Sequence, residues 1–143
     1  MSRILGIDYG KARIGLAISD ETETLARALK VAHGLDNLKK EVKIIVDLYN
    51  IKTIVLGLSK KYDGTLGEIG ELVEIFSHYL KEAYPEIEID FYDESLSTKQ
   101  VEQYFREMGM SLKKYKKEID KYAAEVILQR YLNFKGEKKW KKV

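Results

Sequence analysis

Arg3-Ile4-Leu5-Gly6-Ile7-Asp8-Tyr9-Gly10-Lys11-Ala12-Arg13-Ile14-Gly15-Leu16-Ala17-Ile18-Ser19 decides the fold class. Residues 4–7 are an apolar strand that closes on an acid, Tyr9-Gly10-Lys11 supplies turn chemistry, and Arg13–Ser19 returns as a second strand. A short Gly-containing link between two such runs predicts an antiparallel hairpin. A third strand is expected over about 25–31, broken by Gly34, after which Asp36 is placed to cap a helix carrying Leu38, Val42, Ile45, Val46 and Tyr49 at helical spacing. The β-branched run 51–56 reads as a buried strand ending at Gly57, followed by a polar loop over 59–67. Ile69, Leu72, Val73, Phe76 and Leu80 make a second helical stripe, and residues 87–92 alternate as a further strand running into Asp93 and Glu94. Ser97 with Gln100 forms a capping box before Val101, Phe105 and Met108, and residues 119–132 form the last helix after a basic connector. The order β-β-β-α-β-α-β-α-α predicts an α/β fold. Its sheet is mixed, with an antiparallel meander first, then parallel strands joined by right-handed helical crossovers.

The 143 residues hold 45% hydrophobic and 34% charged side chains, which fits one domain spanning 1–143 with a basic tail from about 135. With no Cys, thiol catalysis, disulfides and cysteine-ligated metals are excluded. His33 and His78 read as surface or helix positions rather than ligands. No run approaches the roughly 20 apolar residues of a membrane helix, and the N-terminus lacks a signal-peptide pattern, so a cytoplasmic location is expected. The net charge of +2 is uneven: residues 111–143 hold eleven Lys/Arg against four Asp/Glu, leaving −5 for the first 110. Such asymmetry suits a polyanion approaching the C-terminal region, and equally a solvated helix face with a charged tail.

Three acids stand where apolar elements end. Asp8 closes the first strand, Glu94 follows the strand ending near Tyr92, and Asp120 opens the last helix. Ala123, Ala124 and Ile127 share the face of Asp120, turning it toward the body of the protein, with two alanines that admit a close helix–sheet approach. Singly, Asp8 also suits a turn, Glu94 a solvated loop, and Asp120 the favourable end of a helix dipole. Jointly, three converging carboxylates repel one another unless a divalent cation is shared. Mg²⁺ takes oxygen ligands and needs neither His nor Cys. Metal-assisted phosphodiester hydrolysis is therefore the reaction type these residues favour.

Gly6 to Ala17, Asp93-Glu94-Ser95-Leu96-Ser97-Thr98 and Ile119 to Gln129 together resemble the YqgF (RuvX) family. Its members are described as Holliday-junction-resolvase-like and as nucleases of the pre-16S ribosomal RNA 5′ end. The resemblance implies a ribonuclease H-like fold with a mixed five-stranded sheet, its first three strands antiparallel. It also implies a metal-binding acidic triad at Asp8, Glu94 and Asp120, holding Mg²⁺ or Mn²⁺. Gly57 and Gly64 fit the segment after the fourth strand. Ser59 stands where the family usually has Pro, and Ser95 where it usually has Arg, which removes a phosphate contact beside Glu94. Arg13 matches the family's Arg.

The leading expectation is a metal-dependent nuclease acting on structured RNA such as pre-rRNA, with a DNA junction as the alternative substrate and ribosomal particles as a setting. Lys11, Arg13, Lys113, Lys114, Lys116, Lys117 and Lys121 are the candidate phosphate contacts, and Tyr115, Tyr131 and Trp140 the candidate base-stacking rings. The acidic turn of Asp20, Glu21 and Glu23 is read as solvated and near the site. Two other classes compete. A phosphotransferase is suggested by Ile7-Asp8-Tyr9-Gly10, which resembles the first phosphate loop of actin-like kinases, but such enzymes need two domains. A non-catalytic RNA- or ribosome-binding module would keep its role after loss of the acids.

Overall fold

The computed structural model describes residues 2–10, 12–58, 67–93, 98–109, 111, 113 and 119–137, with side chains described among these except at 58, 67–68, 93, 98–102, 119–121 and 135–137. The opening hairpin forms as its apolar runs dictate: β1 (Arg3–Asp8) pairs antiparallel with β2 (Arg13–Ser19), Leu5 opposite Ile18 and Asp8 opposite Gly15. β3 (Ala26–His33) adds antiparallel to β2. α1 (Leu35–Leu48), β4 (Ile51–Leu58), α2 (Gly67–Ala83), β5 (Glu88–Asp93), α3 (Thr98–Glu107) and α4 (Ile119–Glu137) follow. The five strands lie in the order β3-β2-β1-β4-β5, with β1–β4 and β4–β5 parallel.

Both faces of this sheet are covered, which is why the central strands are apolar almost without interruption. Leu5, Ile7, Ile14, Leu16, Ile54 and Leu56 pack under α1 and α2, against Leu38, Val42, Val73 and Phe76. Ile4, Ala17 and Val55 point the other way, under Ala124, Leu128, Tyr131 and Leu132 of α4. No helix among the described residues is long and apolar enough to cross a membrane.

Several local expectations shift, each for a physical reason. β3 starts at Ala26 and continues to His33 because Ile14 and Arg13 offer it partners, and Leu25 is left exposed. Asp36 is not the cap of α1. Gly34, at φ +84°, occupies that position without a side-chain cap bond, and Asp36 lies in the first turn, where its charge favours the helix dipole. β4 does not end at Gly57 but runs through it to Leu58. A Cβ on Gly57 would stand 2.9 Å from Ile127 Cδ1, and one on Gly6 3.0 Å from Leu128 Cβ. The glycines, more than the alanines of α4, therefore set the close approach of helix to sheet; Ala124 is buried but Ala123 only half-buried. Met108, expected on the apolar stripe of α3, is exposed, whereas Phe105 is buried edge-on to Tyr122 at 4.9 Å.

The residues 59–66 and 94–97, and with them the polar loop and the capping box, lie outside the described residues. Asp20 sits at the sheet end where β2 leaves the core, opposite the end that carries Asp8, so its turn is not near the candidate acids. Its carboxylate accepts the Thr24 and Leu25 backbone N–H groups at 2.8 and 3.1 Å, bonds that hold its pKa down to about 2.

The outer edge of β3 is closed by α4. Ala28 N–H donates to Glu125 Oε1 at 2.9 Å and Ala26 N–H to Gln129 Oε1 at 2.9 Å, while Tyr104 Oη of α3 donates to Glu125 Oε2 at 3.1 Å. Glu125→Ala would leave two half-buried donors unpaired, so a loss of about 1–3 kcal/mol in urea unfolding is expected. Gly6→Ala would press on α4, with a similar cost of about 1–3 kcal/mol expected from overpacking in the same measurement.

Candidate active site

Side-chain alternation fixes where Asp8 points. Ile4 and Gly6 face α4 while Leu5 and Ile7 face α1 and α2, so Asp8 shares the α4 face. It is the half-buried residue at which the apolar run of β1 stops. Its row across the sheet reads Gly15, Asp8, Gly57, Tyr92. Asp8 thus has a glycine on each side in the sheet, and Ile127 of α4 covers the one on β4. Tyr9, pointing to the other face, packs on Phe76 at 5.8 Å between ring centres, and burial pushes its hydroxyl pKa up.

The direction of α4 follows from its two bonds to β3. Ala26 meets Gln129 and Ala28 meets Glu125, so α4 runs opposite to β3 and therefore opposite to β1, which is parallel to β3 through β2. From Leu128, above Gly6, to Asp120 is about 12 Å back along the helix. From Gly6 to Asp8 is about 7 Å along the strand. The first turn of α4, with Asp120, therefore lies just past the end of β1. β5 leaves the sheet at that same end, its last residue Asp93 paired with Leu58 one row beyond Asp8.

One end of the sheet thus gathers Asp8, the N-terminus of α4 and the exit of β5. Glu94, the residue after Asp93, lies outside the described residues, and the Asp120 side chain is not among those described. Among the described residues no group of three His, Asp or Glu side chains is assembled around one point. Asp8, the one candidate acid whose side chain is described, offers oxygen donors. His33 is exposed at the end of β3 and His78 is exposed on α2. Carboxylate oxygens suit a hard cation of the Mg²⁺ type.

Of the basic candidates, Arg13 is exposed at the start of β2, on the Asp8 face and at the Asp8 end. Lys113 is exposed; Lys121 follows Asp120 in the first turn of α4; Lys11, Lys114, Lys116 and Lys117 lie outside the described residues, as do Tyr115 and Trp140. Tyr131 is not a base-stacking ring. It is buried under α4, and its hydroxyl donates to Asp90 Oδ2 at 2.9 Å. Burial and that carboxylate hold the Tyr131 hydroxyl far above its ordinary pKa.

Sequence reasoning missed the two buried acids, Asp90 and Glu125. The signal for Asp90 is its period: two residues before Tyr92, it shares the face covered by α4 rather than solvent.

Residues 2–134 match a family model described as "RuvX: Holliday junction resolvase". A protein of Acetivibrio thermocellus named "Putative pre-16S rRNA nuclease" is 39% identical over 137 residues, covering 94% of this chain and 97% of the relative. A protein of Clostridioides difficile with the same name is 41% identical over 135 residues, covering 93% and 95%. Among solved structures, T. thermophilus RuvC in complex with Holliday junction substrate superposes with a TM-score of 0.56 at 14% identity, covering 95% of this chain and 96% of that one. The fowlpox virus resolvase with substrate Holliday junction DNA gives 0.57 at 16%, covering 92% and 97%. These likenesses establish the ribonuclease H-like fold.

The turn after Asp8 depends on Gly10, where a Cβ would stand 2.5 Å from the Arg13 carbonyl oxygen. Gly10→Ala is expected to cost about 1–3 kcal/mol in urea unfolding. It should also speed amide exchange at Gly34, whose N–H is held by the Ala12 carbonyl at 3.0 Å.

Proposed function

The chain belongs to the RuvX family, and on that premise we propose that it is a metal-dependent nuclease that trims the 5′ end of pre-16S ribosomal RNA. The observation that carries this reading is the position of Asp8, flanked by Gly15 and Gly57 at the sheet end where α4 begins and β5 exits.

Asp8, Glu94 and Asp120 would hold one or two Mg²⁺ or Mn²⁺ ions, whose chemistry is to make bound water acidic and to offset charge on the phosphate oxygens. The protein's own part is positional. Rigid β1 and α4 carry two of the acids. Arg13, on the same face, and the lysines of 113–121 supply attraction to phosphate that does not depend on sequence. Structured RNA, within or apart from ribosomal particles, is the substrate this arrangement suits, and the charge asymmetry of the chain favours its approach from the C-terminal side.

The test is cleavage of a panel containing pre-16S 5′-leader RNA, single-stranded RNA and a four-way DNA junction, with Mg²⁺ or Mn²⁺. Wild-type protein should cut the leader RNA, EDTA should abolish cutting, and Asp8→Asn should lower the rate by at least about 100-fold with an unchanged thermal midpoint. Selective cutting of the junction would transfer the reading to a DNA resolvase. Cleavage that survives Asp8→Asn would sink the triad. Cleavage should also fall steeply between 50 and 200 mM salt, roughly by 10³ or more if six phosphates are neutralised.

A further inference from the structure

The two flanks of α1 meet different surroundings. On one, the Lys39 ammonium lies over the Tyr79 ring of α2 at 4.4 Å; on the other, the Lys30 ammonium of β3 donates to Glu41 at 3.0 Å. β3 is the edge of the sheet, so the second flank faces outward. Apolar side chains stand there all the same. Ile44 is 54% exposed and Leu48 69% exposed; one turn apart, they form a single stripe, with Leu48 turned only about 20° from Glu41.

Leu25 adds to this surface. α1 ends just before β4 begins, at the same sheet end where β1 and β3 start, and Leu25 immediately precedes β3. Ala26 packs toward α4, so alternation turns Leu25 to the α1 side. It is 65% exposed yet firmly held, its N–H donating to Asp20 Oδ1 at 3.1 Å and its carbonyl accepting the Asp20 N–H at 2.9 Å. Single exposed apolar residues are ordinary, whereas three gathered on one side mark an interaction surface. Pairing through the neighbouring strand edge is closed where Gln129 and Glu125 occupy the N–H groups of Ala26 and Ala28, which leaves a side-chain contact.

The charges beside the stripe identify its occupant. Lys40 and Asp47 are two turns apart, about 10 Å along α1 and within about 20° of each other around it, and Ile44 lies midway between them. Along the helix that edge therefore runs positive, apolar, negative. A two-fold axis through Ile44 and perpendicular to α1 reverses the order in a second copy. Ile44 then meets its own copy, Lys40 meets the copy's Asp47 twice over, and the aliphatic stem of Lys40 lies on the copy's Leu48. Lys40 has no ion pair among the described residues, and Asp47 holds only an exposed contact with Lys43 at 3.2 Å, a kind that contributes little.

We infer that the chain associates with a second copy of itself through α1, the two helices antiparallel across a two-fold axis at Ile44, with Leu48 and Leu25 widening the contact. α1 lies on the face of the sheet opposite to the one Asp8 shares, so both candidate sites stay open in the pair. A contact of this size belongs to the transient class, below about 1,200 Å² in total, and dimers are expected at roughly 10–100 µM chain.

The experiment is sedimentation equilibrium of the full chain from about 5 to 500 µM, a range that brackets this affinity. Wild type should move from 16.6 kDa toward twice that mass. Ile44→Asp should weaken association at least about 10-fold, and Lys40→Glu about 5- to 10-fold, since each change acts twice in a symmetric pair. Lys40→Glu combined with Asp47→Lys should return to within about 3-fold of wild type. Ile75→Asp, at an equally exposed residue of α2, should change nothing. All these positions are exposed, so the thermal midpoint should hold throughout. A chain that stays at 16.6 kDa over the whole range overturns the inference and leaves the surface to a different protein. A dimer indifferent to Ile44→Asp, or a double variant as weak as Lys40→Glu alone, overturns it too. So does equal loss with Ile75→Asp, which would show unspecific apolar association. No nucleic acid is present, so none of these outcomes bears on the nuclease reading.

Discussion

The molecule is organised by the contact of one helix with two glycines. Leu128 sits over Gly6 and Ile127 over Gly57, at distances that leave no room for a Cβ on either strand. Close packing of this kind tolerates little sliding, because interiors are as dense as organic crystals. α4 is therefore fixed over β1 and β4 in both depth and position along the strands. Its first turn is fixed with it, past the end of β1 and beside Asp8. Removing the glycines would not merely create strain; it would change which residues the sheet end can gather.

Polar groups on α4 then finish what packing begins. An edge strand presents unpaired N–H groups that invite pairing with other chains. Glu125 and Gln129 occupy those of Ala28 and Ala26 on β3, and at the other edge the Asp90 carboxylate accepts the N–H of its own neighbour Phe91 at 2.9 Å. Asp90 also receives the Tyr131 hydroxyl. The two buried acids are thus joints between α4 and opposite edges of the sheet, and the helix is held across the whole width of the fold. Tyr104, hydrogen-bonded to Glu125, extends the same joint to α3.

Much of this was legible in the chain. Continuous apolar runs named β1, β2 and β4, helical stripes named α1 and α2, and the element order implied the mixed sheet. What sequence patterns could not show was which surface covers which. Gly57 reads as a strand end until Ile127 is seen above it. Asp90 reads as the solvent side of an alternating strand until α4 buries that side. Tyr131, on a helix rich in polar residues, reads as available to a base until its hydroxyl is found on Asp90. Asp36 looks like a cap because caps are usually Asp, but the chain turns into α1 through Gly34 in the left-handed region. Of the candidate triad, the acid on β1 and the helix bearing Asp120 are brought to one end, which motif spacing had anticipated without giving the direction of α4. That direction came from two side-chain bonds to an edge strand, a type of contact with no periodic signature.

The dependence of the sheet on α4 also sets an order in time. β1 is synthesised well before α4, the last described element. Until α4 emerges, one face of the sheet and the β3 edge are bare, and the carboxylate of Asp8 stands beside no second acidic element from the helix. At synthesis rates of about 5–20 residues per second, this unfinished interval lasts several seconds for a chain of this size. The length of the interval in which the sheet is half-covered and its Asp8 end incomplete is thus set by how far along the chain a single helix lies from β1.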